Sequence, residues 1–381
     1  MDLNVFKVET YDGLDSLPRP YSDVFAESSA ESVFLTRTWF ENFERTILTN
    51  GARSRVYGVE RAGTAPDPVA ALVLSSQARD GFFEPRRLKS LANYYTCFYG
   101  IAKKSGADVS VVADALVAKL WADRSIWDVV DLHPLLDASP DFSELRDAFR
   151  RHGVAVQPYF CFGNWYLDAN GMSYEEYLNG RSSVLRKNVP YNRRRFERSA
   201  SNRIEIVTEP TEVARALTAY ETVYLSSWKI PEAYPEFIRG LVGLAASRGW
   251  LRLGVAYVDG KPAAAQIWFV CSGVASIYKI AYDEQYSKLS VGTVLTAHLI
   301  EHVLDVDKVR IVDYLSGDDD YKSKWMSARR EFWGLLALNP RSVLGGVQIA
   351  KHVGGRFLKR KLGAVRGWRR RILSGQNGAG A

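Results

Sequence analysis

Cysteine is scarce in this chain: Cys97, Cys161 and Cys271 are the only three in 381 residues, odd in number, far apart and set among apolar or aromatic neighbours. That pattern argues against a disulfide framework or a cysteine-built metal site and points to buried thiols in a reducing compartment. A signal peptide is not expected either, because MDLNVFKVETYDGLDSLPRP has acids where a leader needs a positive start, and no apolar core follows. No run approaches 18 uninterrupted apolar residues, so no membrane-crossing helix is expected. Acids are missing from Arg341 to Ala381, which holds ten Lys or Arg. Removing those ten cations turns the net +7 of the whole chain into −3 for residues 1–340. The basic balance is thus a property of the tail and does not imply a nucleic-acid-binding fold. The expected location is cytoplasmic, with peripheral association on the inner face of the membrane.

Apolar residues are plentiful, at 47 %, with 10 Trp, 20 Tyr and 17 Phe, so large cores are available and disorder is confined to the ends. The length suits two or three domains at roughly 100–200 residues each. In the first half, helical spacing over Phe40–Leu48, Val109–Trp121 and Phe142–His152 alternates with strand-like runs. Those are Arg55–Glu60, Val69–Ser75, Tyr94–Tyr99, Trp127–Leu132, Ala155–Phe160 and Trp165–Leu167. The second half repeats the order. Helices are expected at Tyr174–Asn179, Ser182–Ser199, Thr211–Ser226, Pro235–Ser247 and Val294–Leu304, and a short one at Tyr321–Trp325. Strands are expected at Arg203–Val207, Leu251–Val258, Ala263–Val270, Ala275–Tyr282, Val309–Tyr314 and Glu331–Ala337. Asp259-Gly260 is a two-residue hairpin signal. Interleaved strands and helices give an α/β (α+β mixed-sheet) class with a duplicated fold. The units expected are 1–168, 169–340 and a basic amphipathic or disordered tail, 341–381, with the join near the polar break Asp168–Ser173.

The segment that says most reads strand, turn, helix, strand, polar turn and tyrosine-bearing helix. Its turn, Ser287-Lys-Leu-Ser-Val-Gly-Thr293, opens the helix Val294–Leu304. The first N–H groups of a helix lack intrahelical partners and the dipole there is positive, so Ser290, Val291, Gly292 and Thr293 form a candidate diphosphate seat. Asp313 ends the following strand and Tyr321 begins the next helix.

Several strings combine into a family likeness: Arg181-Ser-Ser-Val-Leu-Arg-Lys-Asn188 with Asn192-Arg-Arg-Arg-Phe196, Gly249-Trp-Leu-Arg-Leu253, Ala264-Ala-Gln266, Tyr278-Lys-Ile-Ala-Tyr-Asp-Glu284, and Val312-Asp-Tyr-Leu-Ser-Gly-Asp-Asp319 with Tyr321-Lys-Ser-Lys-Trp325. This run resembles the GNAT-superfamily acyltransferases associated with bacterial cellulose and exopolysaccharide genes, distant relatives of the Fem-type aminoacyltransferases. The likeness covers Asp168–Leu338 well and the first half only by element order. It implies two tandem GNAT-like domains plus the basic tail, with the second domain holding the site. It also implies acyl-CoA as donor co-substrate and no metal. The usual Gln/Arg-x-x-Gly-x-Gly/Ala loop corresponds here to Lys288-Leu-Ser-Val-Gly-Thr293, with Ser290 in place of one glycine.

Each candidate residue has two readings. Tyr321 matches the tyrosine that returns a proton to the leaving thiolate in many GNAT enzymes, and a phenol of pKa near 10 can do so for a thiolate of about 8.5; alternatively it packs its helix on the sheet. Asp313 orients or deprotonates the acceptor, or fixes a loop. Lys279, in an apolar strand, needs a carboxylate such as Asp313 or a donor phosphate, unless it faces solvent. Backbone groups of Ile280 and Ala281 are expected to polarise the thioester carbonyl. Arg186 belongs to a block of eight cations and one acid between Arg181 and Arg203. That block is either a solvated helix face or a cationic wall for donor or acceptor. Asp318, Asp319 and Asp320 are expected to cap the helix at Tyr321. His298-Leu-Ile-Glu301-His302 reproduces a zinc-peptidase spacing, but no third ligand follows, so ordinary helix positions are expected. The tail segment 351–373 has apolar residues at helical spacing among cations and suits an anionic membrane surface.

The resulting expectation is an acyltransferase moving an acyl group from a thioester carrier to an amine or hydroxyl of a saccharide-type acceptor, through a ternary complex and without a covalent enzyme intermediate. Two rivals stand beside it: a Fem-type transferase using aminoacyl-tRNA, for which no long coiled-coil insertion is visible, and a non-catalytic membrane-docked scaffold.

Overall fold

A computed structural model describes residues 6–48, 52–76, 81 and 83–351. The first half contains β1 (Phe6–Asp12), α1 (Tyr21–Ser28), α2 (Arg37–Thr46), β2 (Arg53–Arg61), β3 (Pro68–Ser76), β4 (Arg87–Ser90), β5 (Ala102–Lys103), α3 (Val109–Ala122), β6 (Val129–Leu136), α4 (Pro140–Arg151) and β7 (Ala155–Asp168). The second contains α5 (Tyr174–Asn179), α6 (Ser183–Phe196), β8 (Arg203–Val207), α7 (Val213–Leu225), α8 (Pro235–Ser247), β9 (Leu251–Val258), β10 (Lys261–Cys271), β11 (Val274–Tyr282), α9 (Val291–Asp305), β12 (Ile311–Ser316), α10 (Asp320–Trp325) and β13 (Ala328–Leu338). All the strands join one mixed sheet in the order β1-β2-β3-β4-β6-β13-β7-β12-β11-β10-β9-β8, with β5 against β3.

Each half contains one parallel pair bridged by a helix, β4–α3–β6 and β11–α9–β12. The last strands are exchanged: β7 of the first half lies against β12, and β13 of the second lies against β6. The sheet therefore runs unbroken across the expected join at Asp168–Ser173.

Period-two alternation sets the layers. Leu251, Leu253 and Val255 of β9, with Ala265, Ile267 and Phe269 of β10, face α7 and α8 and share a core with the first half. Ala256, Val258, Ala264 and Trp268 face the other way, towards α9. At Gly254 a Cβ would sit 2.8 Å from Leu299 Cδ1 and 3.0 Å from Leu295 Cδ1, so the glycine lets α9 lie directly on the sheet. Asp259 and Gly260 both have positive φ, 49° and 77°, as the hairpin signal requires.

Three expectations about elements need correction. Tyr94–Tyr99 is a loop: the Asn93 side chain accepts from the Tyr95 amide at 2.9 Å and the Asn93 carbonyl from the Thr96 amide at 2.8 Å, so a turn takes the groups that a ladder would need. The strand there is β4, just upstream. Second, Ala155–Phe160 and Trp165–Leu167 are parts of the single strand β7, which passes through Gly163 beneath the Asp318–Arg329 ion pair. Third, α9 begins at Val291, three residues earlier than its apolar spacing suggests, after Ser290 turns the chain with φ 53°. The cysteines are free; Cys97 and Cys271 are buried and Cys161 only half-buried. Among the described residues no helix is long and apolar enough to cross a membrane. The tail segment expected to meet a membrane lies, beyond residue 351, outside the described residues.

Candidate active site

The site grows from a splay in the sheet. β11 and β12 pair only at Val274↔Ile311, Ala275↔Val312 and Ser276↔Asp313. β11 then continues to Tyr282 with its β12-facing edge released from that ladder. A register slip against β10 adds to this: Ile267 opposes Lys279 while Trp268 opposes Ile277, leaving Tyr278 as the extra residue of a bulge. The bulge re-aims the side chains that follow, as bulges do. Lys279 comes to lie opposite Ile267, on the sheet face covered by α7 and α8. There its Nζ donates to Glu232 Oε1 at 2.7 Å and stands 4.5 Å from the Tyr95 ring centre. The carboxylate predicted for Lys279 was Asp313; the partner is Glu232, from the irregular segment between α7 and α8. Tyr95 donates its phenol to the other Glu232 oxygen at 2.5 Å. Burial tends to raise the Glu232 carboxyl, but the Lys279 and Tyr95 hydrogen bonds outweigh it and hold the pKa below the usual value.

Two clefts open on the splay. One, about 290 Å³, is lined by Ile280, Ala281 and Tyr282 of β11, Gly292, Thr293 and Thr296 of α9, and Tyr321 and Trp325 of α10, with Gln266 at its floor. Gln266 donates to Thr296 Oγ1 at 2.7 Å and accepts from Trp268 Nε1 at 2.8 Å, which ties the second turn of α9 to β10. Ser290 is the N-cap of α9 and makes no side-chain capping bond. The turn, the strand residues Ile280 and Ala281 and the tyrosine named from the sequence therefore converge on one cavity; the Ser290 and Val291 side chains are not in its wall.

The second cleft, about 350 Å³, is lined by Tyr94, Tyr95 and Cys97 of the first half and by Lys229, Lys279, Lys322 and Asp319. The two share a boundary of Trp228, Ile280, Tyr314 and Tyr321. Tyr321 is 40 % exposed and meets the buried Tyr314 edge-on at 5.7 Å between ring centres. Burial, and then the charge of Asp319, push its pKa up to about 12, so its phenol stays protonated at neutral pH.

Asp313 is placed elsewhere. It is buried, accepts from Asn164 Nδ2 at 2.6 Å and from the Leu315 amide at 2.7 Å, and pairs with Arg330. Arg330 Nε in turn donates to Asn164 Oδ1 at 2.6 Å. This closed network staples β7, β12 and β13 and holds Leu315 at φ 55°. Asp313 lines neither cleft; it borders a separate void of about 60 Å³ with Cys271 and Phe332. Its loop-fixing reading is the one that the geometry favours.

Arg186 is exposed on α6, donates to the Asn179 carbonyl at 3.4 Å and lines neither cleft. Its neighbours in the basic block make structural ties: Arg181 to the Trp325 carbonyl, and Arg193 to Glu197 and Glu301. Glu301 is thus occupied, His302 faces Asp307 at 3.7 Å, and no cluster among the described residues could hold a metal ion. The expected aspartate caps of α10 do not form. Asp319 is the N-cap but makes no side-chain capping bond, its carboxylate lying 3.4 Å from Lys322 Nζ, and Asp318 is drawn to Arg329 and Trp165.

Glu232, Lys229, Trp228, Tyr95 and Lys322 were not singled out from the sequence. The signal for three of them was Trp228-Lys229-Ile230-Pro231-Glu232, an aromatic and charged string in the break between two well-marked helices. Tyr95 is brought in by the other half of the chain, which no local pattern shows.

Residues 183–323 match a family model described as an acetyltransferase (GNAT) domain. No curated protein matches the chain. Among solved structures, FemX superposes with a TM-score of 0.60 at 9 % identity, covering 86 % of this chain and 96 % of that one. A conserved protein of unknown function from Bacteroides thetaiotaomicron VPI-5482 gives 0.53 at 9 % identity, covering 85 % and 98 %. A tandem GNAT protein from the clavulanic acid biosynthesis pathway gives 0.48 at 14 % identity, covering 88 % and 100 %, too loose a fit to argue from. These identities speak for fold alone. The chain is a mixed α/β protein whose residues 183–323 match a GNAT acetyltransferase domain, and each of its halves builds one parallel strand pair bridged by a helix.

Proposed function

We propose that the chain is an acyl-CoA-dependent acyltransferase that acylates an amine or hydroxyl of a saccharide-type acceptor in exopolysaccharide or cell-envelope biosynthesis. The observation that supports it best is the meeting of an uncapped helix start, a strand edge released from its ladder and a protonated phenol around one cleft. The acceptor class and pathway rest on the sequence resemblance. In this reading residues 169–340 form the catalytic unit, and residues 351–373 supply a membrane contact.

The α9 amides at Val291, Gly292 and Thr293 would take the donor's diphosphate. The acyl-thioester arm would then run along Ile280 and Ala281, whose backbone polarises the carbonyl as negative charge develops on its oxygen. The acceptor's nitrogen or oxygen attacks from the second cleft and bonds to the carbonyl carbon, its proton passing to solvent; the C–S bond breaks, and Tyr321 protonates the departing thiolate. Lys279, fixed by Glu232 and Tyr95, positions the wall between the clefts. Asp313 serves by holding β12 in place.

The test is thiol release from acetyl-CoA and longer acyl-CoAs with amino-sugar acceptors, alongside calorimetric CoA binding. CoA binding that survives Tyr321→Phe, with turnover reduced at least a hundredfold, supports the reading. Absence of CoA binding in the intact protein, or unchanged turnover in Tyr321→Phe, overturns it. The sequence resemblance to Fem-type transferases supplies the second reading, an aminoacyl-tRNA donor; filter binding of tRNA distinguishes it.

A further inference from the structure

We infer that the acceptor taken by the second cleft carries an anionic group, a carboxylate or phosphate, seated against Lys229 with Lys322 beside it. This rests on the two-cleft reading of the site and adds the chemical class of what enters the second cleft.

Three ammonium groups converge on that cleft and none lines the donor-side one. Their partners differ. Lys279 is held by Glu232. Lys322 is buried, with 6 % of its surface exposed; its Nζ donates to the Ser316 and Gly317 carbonyls and lies 3.4 Å from Asp319. Lys229 Nζ has only ring contacts, 5.8 Å to Tyr224 and 5.9 Å to Trp228, and no carboxylate or carbonyl partner among the described residues. A half-buried ammonium without an acceptor is an expensive arrangement unless something else supplies the negative charge.

The surrounding charges agree. Lys229 faces Lys279 from β11, Lys322 from α10, Glu232 from its own segment, Asp319 ahead of α10 and the phenols of Tyr224 and Tyr95. Burial, then the charge of Lys279, with Lys322 adding and Glu232 opposing, bring the Lys229 pKa down to about 8. Burial also lowers that of Lys322. With all groups ionised, the three cations outnumber the two carboxylates by one, which leaves room for one anion. The donor's own phosphates are the competing source of negative charge. Their seat at Gly292 and Thr293 lies in the other cleft, which makes the acceptor the better candidate.

The experiment titrates inorganic phosphate into the full chain saturated with CoA, by calorimetry, at pH 7 and pH 9. The expected result is binding at pH 7 that weakens several-fold, up to about tenfold, at pH 9. The lysine loses its proton as pH rises through about 8, while phosphate itself only gains charge. Lys229→Met should weaken phosphate binding tenfold or more at pH 7 and remove the pH dependence, with CoA affinity unchanged, and Lys229→Arg should restore binding. Lys322→Met gives an independent second variant, with an expected loss of at least threefold. Phosphate affinity equal in wild type and both Met variants overturns the inference. So does phosphate that CoA displaces, since the lysines would then hold the donor. Phosphate held by these lysines in a protein that does not bind CoA would leave the anion pocket standing and sink the acyl-CoA reading instead.

Discussion

The two halves build the same crossover and finish it differently. In the first, α3 begins at Val109, and the Asp108 carboxylate accepts from the Ser110 amide at 3.0 Å and the Val111 amide at 3.3 Å. In the second, α9 begins behind Ser290, whose side chain caps nothing. β4 is four residues long and gives way to a buried loop; β11 runs for nine and keeps a free edge. A helix start that is satisfied by its own carboxylate is a stable end, and one left open beside a cleft is a place for a ligand's negative charge. The first half closes its helix start with Asp108 and lends Tyr94, Tyr95 and Cys97 to the wall of the second half's cleft.

The largest expected effect falls on chemistry. Tyr321→Phe should lower kcat by about 10²–10⁴-fold, the usual contribution of a positioned proton donor, with KM for acyl-CoA nearly unchanged in steady-state thiol release. Because the Tyr321 pKa lies near 12, the phenol keeps its proton throughout pH 6–9. An alkaline limb in that range must therefore arise from another group, and it should vanish in Lys229→Met rather than in Tyr321→Phe.

Asp313→Asn tests the opposite kind of residue. Leaving Arg330 without its buried partner should cost about 3 kcal/mol of stability, read as a lower urea midpoint. Surviving folded protein should keep most of its turnover. A stable, inactive Asp313→Asn variant would return this carboxylate to the chemistry.

Two smaller substitutions exchange the character of the two helix starts. Ser290→Asp puts a carboxylate where the first half has one and should weaken CoA binding about tenfold through repulsion of the diphosphate. Asp108→Ala should cost about 1 kcal/mol of stability, the ordinary loss of a cap, and leave CoA binding untouched. Equal effects of both changes on CoA binding would erase the contrast.

Much of the second half was readable because its elements are local and strongly periodic. Pro235–Ser247 and Leu251–Val258 have the bounds expected from their patterns, and Asp259-Gly260 turns as its residue types demand. The cleft residues Gly292, Thr293, Ile280, Ala281 and Tyr321 were readable for the same reason: strand, turn and helix follow one another in the chain. What stayed hidden is long-range. A one-residue bulge at Tyr278 decides which face Lys279 takes, and apolar alternation does not register it. The exchange of β7 and β13 brings Asn164 and Arg330 to Asp313, and so turns a strand-end aspartate that resembled a catalytic one into a staple. Asn93, a single side chain, converts the aromatic run Tyr94–Tyr99 from strand to loop and so supplies the far wall of the second cleft.

The most direct test is to follow the backbone amides of Val291, Gly292 and Thr293 by NMR while CoA is added to the intact protein. Saturable shifts at these three amides and at the Tyr321 ring, with the amides of Ser110 and Val111 unmoved, are the expected result. Shifts at Ser110 and Val111 instead, or CoA bound with the α9 amides and Tyr321 unaffected, would contradict the placement of the donor in the second half.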